Sequence, residues 1–227
     1  MLSKCIGIIS YLPNDEQVRI NRKNKFKKLL KVLDDNFKLP IVIVAQNWRD
    51  EDFDINYGLP IKIYKYAGAL GVTGARIALR EKLLLEDYDY FIFLDDDSNV
   101  VCTPSAAKDY LSQLDSHPGM FGLFNGTSWH RFIAISKPML ELMNYDFIKN
   151  YESCRGEIWE DIAYTHTYKA IYPNKWFNIK VNGLKEIQID SAKDKDSTWY
   201  VSNPEFSNKQ MQIKTYKIRD AWIKSLK

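Results

Sequence analysis

Phe91-Ile92-Phe93-Leu94 runs straight into Asp95-Asp96-Asp97. With Tyr88 and Tyr90 in front, the four apolar residues predict a short buried strand. A buried strand that ends in three adjacent carboxylates limits what the chain can build. In an extended backbone Asp95 and Asp97 point to one side, about 6.6 Å apart along the strand. At an effective dielectric of about 20 such a pair repels by roughly 2–3 kcal/mol. Water can screen that repulsion, or a cation can sit between the carboxylates and a partner. A hard ion such as Mg2+ or Mn2+ takes oxygen ligands and keeps positions open for phosphate oxygens. The alternative is an acidic turn that caps the next helix. Thr103-Pro104 has the form of that helix start, an N-cap followed by proline at the first helical position. It lies six residues beyond Asp97, so capping leaves the triplet unexplained.

The rest of the first half alternates strands with helices. Cys5 to Tyr11 predicts the first strand, 40–45 the second and Ile61 to Tyr64 a short third. A helix from Asn14 or Asp15 to about Phe37 puts Phe26, Leu29, Leu30, Leu33 and Phe37 on one face. Its basic residues, Arg19, Arg22, Lys23, Lys25, Lys27, Lys28 and Lys31, read most simply as a solvated face. Gly74 to Leu85 predicts a second helix leading into the acid-tipped strand. This alternation argues for a mostly parallel α/β sheet flanked by helices in one domain, with ligands beyond the carboxyl ends of the strands. Asp95 and Asp97 fall at such an end.

The second half is less regular. Strands are expected at 120–124 and 132–135, around Asn125-Gly126-Thr127-Ser128-Trp129-His130-Arg131, with helices at 138–144 and 158–170. From Glu205 onward six basic residues (Lys209, Lys214, Lys217, Arg219, Lys224, Lys227) face two acidic ones (Glu205, Asp220). That tail reads most simply as a solvated helix, and could also fold over a diphosphate or approach an anionic surface. Cys5, Cys102 and Cys154 are widely spaced without a CxxC, which fits reduced thiols in a cytoplasmic protein better than a disulfide framework or a zinc site. A net charge of +3 is too small to imply nucleic-acid binding by itself. No signal peptide is visible, and no apolar run approaches the ~20 residues of a membrane span.

Three segments in order carry a resemblance: Ser10-Tyr11-Leu12-Pro13 after the first strand, Gly74-Ala75-Arg76 in the helix before FIFLDDD, and Trp159-Glu160-Asp161 opening a later helix. Together they resemble the GT-A (Rossmann-like) nucleotide-sugar glycosyltransferases, particularly the inverting, family-two-like branch. The likeness covers approximately the first 170 residues. It implies a GT-A domain over residues 1–204, with 1–100 binding the nucleotide sugar and 101–204 the acceptor, followed by a basic segment over 205–227.

By that resemblance Asp95 would contact the nucleotide ribose and share the metal, and Asp97 would hold Mn2+ or Mg2+ against the donor diphosphate. Asp96 is the variable middle residue, expected to bond locally. Arg76 would lie near the nucleotide, and Ser10 and Tyr11 under the base. Asp161 would be the catalytic base that takes the acceptor proton, with Glu160, Trp129, His130 and Arg131 on the acceptor side. A bound metal would stabilise the charge on the leaving nucleoside diphosphate. Glu160 and Asp161 also read as ordinary first-turn helix acids.

The chain departs from the family in two places. Where relatives commonly carry an aspartate to read uracil, it has Gln46-Asn47-Trp48; the Gln46 amide can bond a base edge, and a UDP-sugar remains the expected donor. A late metal-binding histidine is missing after His166, leaving Asp190, Asp194, Asp196 or water to substitute. Trp199-Tyr200 would stack a sugar or pack the tail. The acceptor is expected to be a glycan, a lipid-linked precursor or a nucleic acid, including a modified base in DNA. Two other readings stand beside this one: a haloacid-dehalogenase-like phosphatase using Asp95 and Asp97, and a non-catalytic nucleotide-sugar-binding domain.

Overall fold

A computed structural model of the chain describes residues 2–53, 57–116, 119–123, 132–142 and 172–187, together with Lys217 and Lys224. Its first half is built from β1 (Lys4–Tyr11), α1 (Glu16–Asn36), β2 (Ile41–Gln46), β3 (Ile61–Tyr66), α2 (Gly71–Leu84) and β4 (Tyr90–Asp95). There follow β5 (Asn99–Cys102), α3 (Pro104–Leu114), β6 (Met120–Leu123), β7 (Ile133–Ser136), α4 (Lys137–Leu142), β8 (Trp176–Ile179) and β9 (Leu184–Ile187). Among the described residues a seven-stranded sheet has the order β3-β2-β1-β4-β7-β6-β8, and β5 pairs with β9 in a small second sheet. In the large sheet β7 alone runs against its neighbours. This is the mostly parallel α/β architecture expected from the alternation of elements.

Strands β1, β2 and β4 are apolar almost throughout because both their faces are covered, as a parallel sheet requires. Ile6 and Ile8 of β1, Ile41 and Ile43 of β2, and Ile92 and Leu94 of β4 pack with Phe26, Leu29, Leu30 and Leu33 of α1 and with Ala106, Ala107 and Tyr110 of α3. The alternate positions, Cys5 and Ile9, Val42 and Val44, Phe91 and Phe93, pack with Ala75, Leu79 and Leu83 of α2 and with Met139 and Leu140 of α4. So α1 and α3 form one layer, α2 and α4 the other. The close seat of α2 depends on Gly7, where an added Cβ would stand 2.8 Å from Leu83 Cδ1.

Local signals account for the helix ends. Asp15 caps α1 by accepting from the Val18 amide at 2.9 Å. Thr103 caps α3 with Pro104 behind it, its hydroxyl accepting from the Ala106 amide at 3.2 Å. Cys5 and Cys102 are free thiols, and burial pushes the Cys5 thiol up to about 12. Among the described residues no helix is long and apolar enough to cross a membrane. The expected helix over 158–170, most of the 205–227 segment, and Cys154 lie outside the described residues, as do Phe124 and the last residues of the helix expected to reach Asn144.

Two expectations are corrected. The chain does not stay extended through the acidic triplet: β4 ends at Asp95, and the Ser98 amide donates to the Asp95 carbonyl at 3.1 Å to close a turn before β5. The strand rule for Asp97 therefore fails; its direction is set by the turn. The basic face of α1 is not wholly solvated either. Lys27, Lys28 and Lys31 are exposed, whereas Arg19 and Arg22 are buried. The first turns of α1 cross the carboxyl ends of β1 and β2, where strand carbonyls and carboxylates need donors. Arg19 gives hydrogen bonds to the carbonyls of Leu12 (3.3 Å), Pro13 (3.1 Å) and Asn47 (3.0 Å), and an ion pair to the buried Asp52. Lys23 joins Asp52 at 2.9 Å, and the Arg49 amide donates to it at 2.8 Å.

This cluster pins the loop after β2 to α1. Burial works to raise the Asp52 carboxyl, but Arg19, Lys23 and the Arg49 amide outweigh it and hold it below its ordinary 3.8. Its contribution to stability is therefore full above about pH 4 and is lost as pH falls below that. Asp52→Asn should destabilise the protein by about 3 kcal/mol near neutrality, because it leaves Arg19 buried without its counter-charge. Urea midpoints of variant and wild type should converge as pH drops from 4 toward 2; a gap that does not narrow contradicts this account.

Candidate functional site

The strand order places a reversal between β1 and β4. From β1 the chain steps outward through β2 to β3, then returns under α2 to add β4 on the other side of β1. The helices diverge to opposite faces there, and the gap beyond the carboxyl ends is where open α/β sheets bind ligands. Asp95, Asp96 and Asp97 stand at that gap beside Ser10 and Tyr11.

At the end of β4 the first two carboxylates go to opposite helical layers. Asp95 continues the row of Phe91 and Phe93 on the α2 side and pairs with Arg76 of α2 at 2.5 Å. Asp96 turns to the α1 side, where it pairs with Arg22 of α1 and accepts from the Ser10 hydroxyl at 2.6 Å and the Tyr11 amide at 3.1 Å. The Asp96 side chain is 4% exposed, against 24% for Asp95 and 19% for Asp97. The middle acid is thus a buried strut and the outer two meet solvent. Trp48 extends the strut by donating from Nε1 to the Ser10 oxygen at 3.1 Å, with its ring edge-on to Phe26.

Burial pushes the Asp96 carboxyl up to about 6; Asp97 and Asp95 add to the rise, while Arg22 and the Ser10 hydroxyl oppose it. For Arg22 burial works against the cation, yet Asp96, Asp97 and Asp95 outweigh it and raise its pKa. At the tip three carboxylates meet two guanidiniums, leaving one net negative charge. Asp95 and Asp97 offer only oxygen acceptors at the edge of solvent, the donor chemistry that Mg2+ or Mn2+ prefers. Among the described residues no three His, Cys, Asp or Glu side chains are placed to hold a metal. An ion held there would need phosphate oxygens or water for most of its ligands.

The other expected donor-side residues divide the same way. Gln46 ends β2 in register with Tyr11, and its Oε1 accepts from the Leu70 amide at 2.7 Å, tying β2 to the start of α2. Tyr11, Gln46, Arg76 and Asp95 thus gather at the carboxyl ends on the α2 side. Ser10 lies on the α1 side, buried, with its hydroxyl engaged by Asp96 and Trp48. Asn47 follows Gln46 with φ +55°, a left-handed position that asparagine tolerates, and donates from Nδ2 to the Leu12 carbonyl at 2.7 Å. Asp161, Glu160, Trp129, His130 and Arg131 lie outside the described residues, as do His166, Asp190, Asp194, Asp196, Trp199 and Tyr200.

Sequence reasoning missed Arg22. A signal was present: Arg19, Arg22, Phe26, Leu29, Leu30 and Leu33 follow one 3–4 spacing, so the two arginines continue the apolar stripe rather than the lysine face.

No family model and no curated protein sequence matches the chain. Solved structures do. TarS 1–349 of S. aureus, solved in complex with UDP-GlcNAc, superposes with a TM-score of 0.56 at 12% identity, over 85% of this chain and 61% of that one. A proposed nucleotide-diphospho-sugar transferase of Desulfovibrio desulfuricans G20 gives 0.53 at 14% identity, over 99% and 98% of the two chains. The glycosyltransferase GlyE of Streptococcus pneumoniae TIGR4 gives 0.51 at 14%, over 79% of this chain and 45% of GlyE. The chain thus spans about three fifths of the TarS fragment, but nearly all of the Desulfovibrio protein. The likeness is one of architecture: the chain has the GT-A fold, as its motifs led us to expect.

Ser10→Ala should cost about 1.5–3 kcal/mol, the range for a hydrogen bond to a charged group, since it removes a donor from Asp96 and the acceptor of Trp48. Urea denaturation measures this directly. A neutral substitution would show that the strut does not bear on stability.

Proposed function

We propose that the protein is a glycosyltransferase that moves a sugar from a nucleotide-diphosphate donor, most simply a UDP-sugar, to an acceptor hydroxyl. One observation carries the reading: two part-exposed carboxylates stand at the strand reversal, Asp95 against Arg76 and Asp97 near Arg22. The neighbours in architecture support it, TarS having been solved with UDP-GlcNAc and with UDP. A phosphatase of the haloacid-dehalogenase kind is disfavoured because Asp95 ends the fourth strand of the chain rather than the first.

In this reading residues 1–100 hold the donor and 101–204 the acceptor. Tyr11 and Gln46 lie toward the base, and Asp95 toward the ribose. Arg76 supplies a fixed positive charge near the diphosphate. Asp95 and Asp97 would hold Mn2+ or Mg2+, which when bound stabilises negative charge on the leaving diphosphate. We assign Asp161 as the base that accepts the proton of the attacking hydroxyl, with inversion at the anomeric carbon. Glu160, Trp129, His130 and Arg131 would contact the acceptor, a glycan or lipid-linked precursor. A cytoplasmic location accords with the free thiols of Cys5 and Cys102. Binding to DNA that falls steeply with added salt would instead point to a nucleic-acid acceptor.

Calorimetric titration of nucleotide sugars with and without Mn2+ tests the reading. A UDP-sugar should bind more tightly with the metal. Asp97→Asn should abolish that gain, while Asp161→Asn should keep it and lower turnover by at least about a hundredfold, the lower range for a general base. Equal loss of donor affinity in both variants would refute the division of roles.

A further inference from the structure

Among the described residues, Arg22 reaches three groups at the strand ends. Its Nε donates to the Tyr11 carbonyl at 3.0 Å, Nη2 pairs with Asp96 Oδ1, and Nη1 lies 3.8 Å from Asp97 Oδ2. The Arg22 side chain is buried. Tyr11 and Asp96 together fix the plane of the guanidinium, so the direction in which Nη1 faces Asp97 is fixed as well.

Asp97 lies within ion-pair distance of that nitrogen. It stands in the turn after β4, outside any strand ladder, and among the described residues Arg22 is the cation it pairs with. Asp95, by contrast, is held within β4 and has its own arginine on the opposite helical layer.

We propose that Arg22 is the positioning residue of the metal–diphosphate site. From behind the tip it aims Asp97 at the gap and shares the charge of Asp96 and Asp97, so that Asp97 presents a partly compensated carboxylate. The inference rests on the donor reading above and deepens it. It separates the two arginines by function: Arg76 faces the donor from α2, whereas Arg22 acts through Asp97 and therefore through the metal. Lysine at position 22 would keep the charge but could not span Tyr11, Asp96 and Asp97 with one rigid group.

The test uses the full chain carrying Arg22→Lys. UDP is titrated calorimetrically with and without Mn2+, and thermal melting is recorded alongside. Metal-free UDP affinity should be unchanged, while Mn2+-supported affinity should fall about tenfold or more, the usual effect of removing a residue that orients a metal ligand. An intact Mn2+ gain with only a lower melting temperature would overturn the proposal and leave Arg22 a structural residue. Equal loss with and without metal would overturn it too, placing Arg22 in the donor pocket. If Arg22→Lys does not fold, Asp96→Asn carries the same test, because it keeps the shape of the strut but loosens the arginine. The same selective loss is expected, and an unchanged Mn2+ gain overturns the proposal. Wild-type protein that binds UDP with no response to Mn2+ would refute the metal reading itself, an outcome distinct from a failure confined to Arg22.

Discussion

Three aspartates in a row at the end of a buried strand must be kept apart and compensated, and most of the architecture at the carboxyl ends follows from how this is done. Asp96 is driven inward, where Arg22, Ser10 and the Tyr11 amide receive it. Asp95 goes to the opposite layer and meets Arg76. Neither arrangement is possible unless α1 and α2 cover opposite faces of the sheet, and that in turn requires the reversal between β1 and β4. A buried ion pair is weak evidence of net stability, since desolvation offsets much of the attraction. Its more evident effect here is geometric. It fixes where the remaining negative charge stands and joins the ends of β1 and β4 to the first turns of α1.

Other polar contacts extend the same principle. Arg19 and Asp52 fasten the loop after β2 to α1, Asn47 ties that loop back to Leu12, and Gln46 holds the residue before α2. The carboxyl ends of β1, β2 and β4 are thereby cross-braced by side chains carried on rigid elements, which suits a site that must hold charged groups in fixed positions. At the amino end of β4 the acids meet separate partners, Glu86 with Lys62 and Asp89 with Ser3. Lys4, at that end, pairs simply with Asp115.

Much of this was visible in the sequence, for identifiable reasons. The α1 boundaries were readable because Asp15 is a cap and the apolar period is long. The start of α3 was readable from Thr103-Pro104, and the parallel sheet from the alternation of strands with helices. Of the five described four-residue strands, β6 and β7 were readable as apolar runs, whereas β5, β8 and β9 were not, because Asn99, Asn178, Lys185 and Glu186 break theirs. The sequence put Asp95 and Asp97 on one side of an extended strand; instead a turn follows Asp95, and Asp96 is the buried member of the three. The buried arginines escaped notice because composition groups them with the lysines of α1. Only contact with a partner distant in sequence, such as Asp96, marks Arg22 as part of the site.

We propose Asp95 and Asp97 as the cation-binding edge of a diphosphate site. Crystals grown with UDP and Mn2+, measured at the manganese absorption edge, test it most directly. An anomalous peak is expected within bonding distance of carboxylate oxygens from Asp95 or Asp97 and of the diphosphate. A diphosphate bound elsewhere on the molecule, or bound at the tip with no metal beside it, would contradict the account.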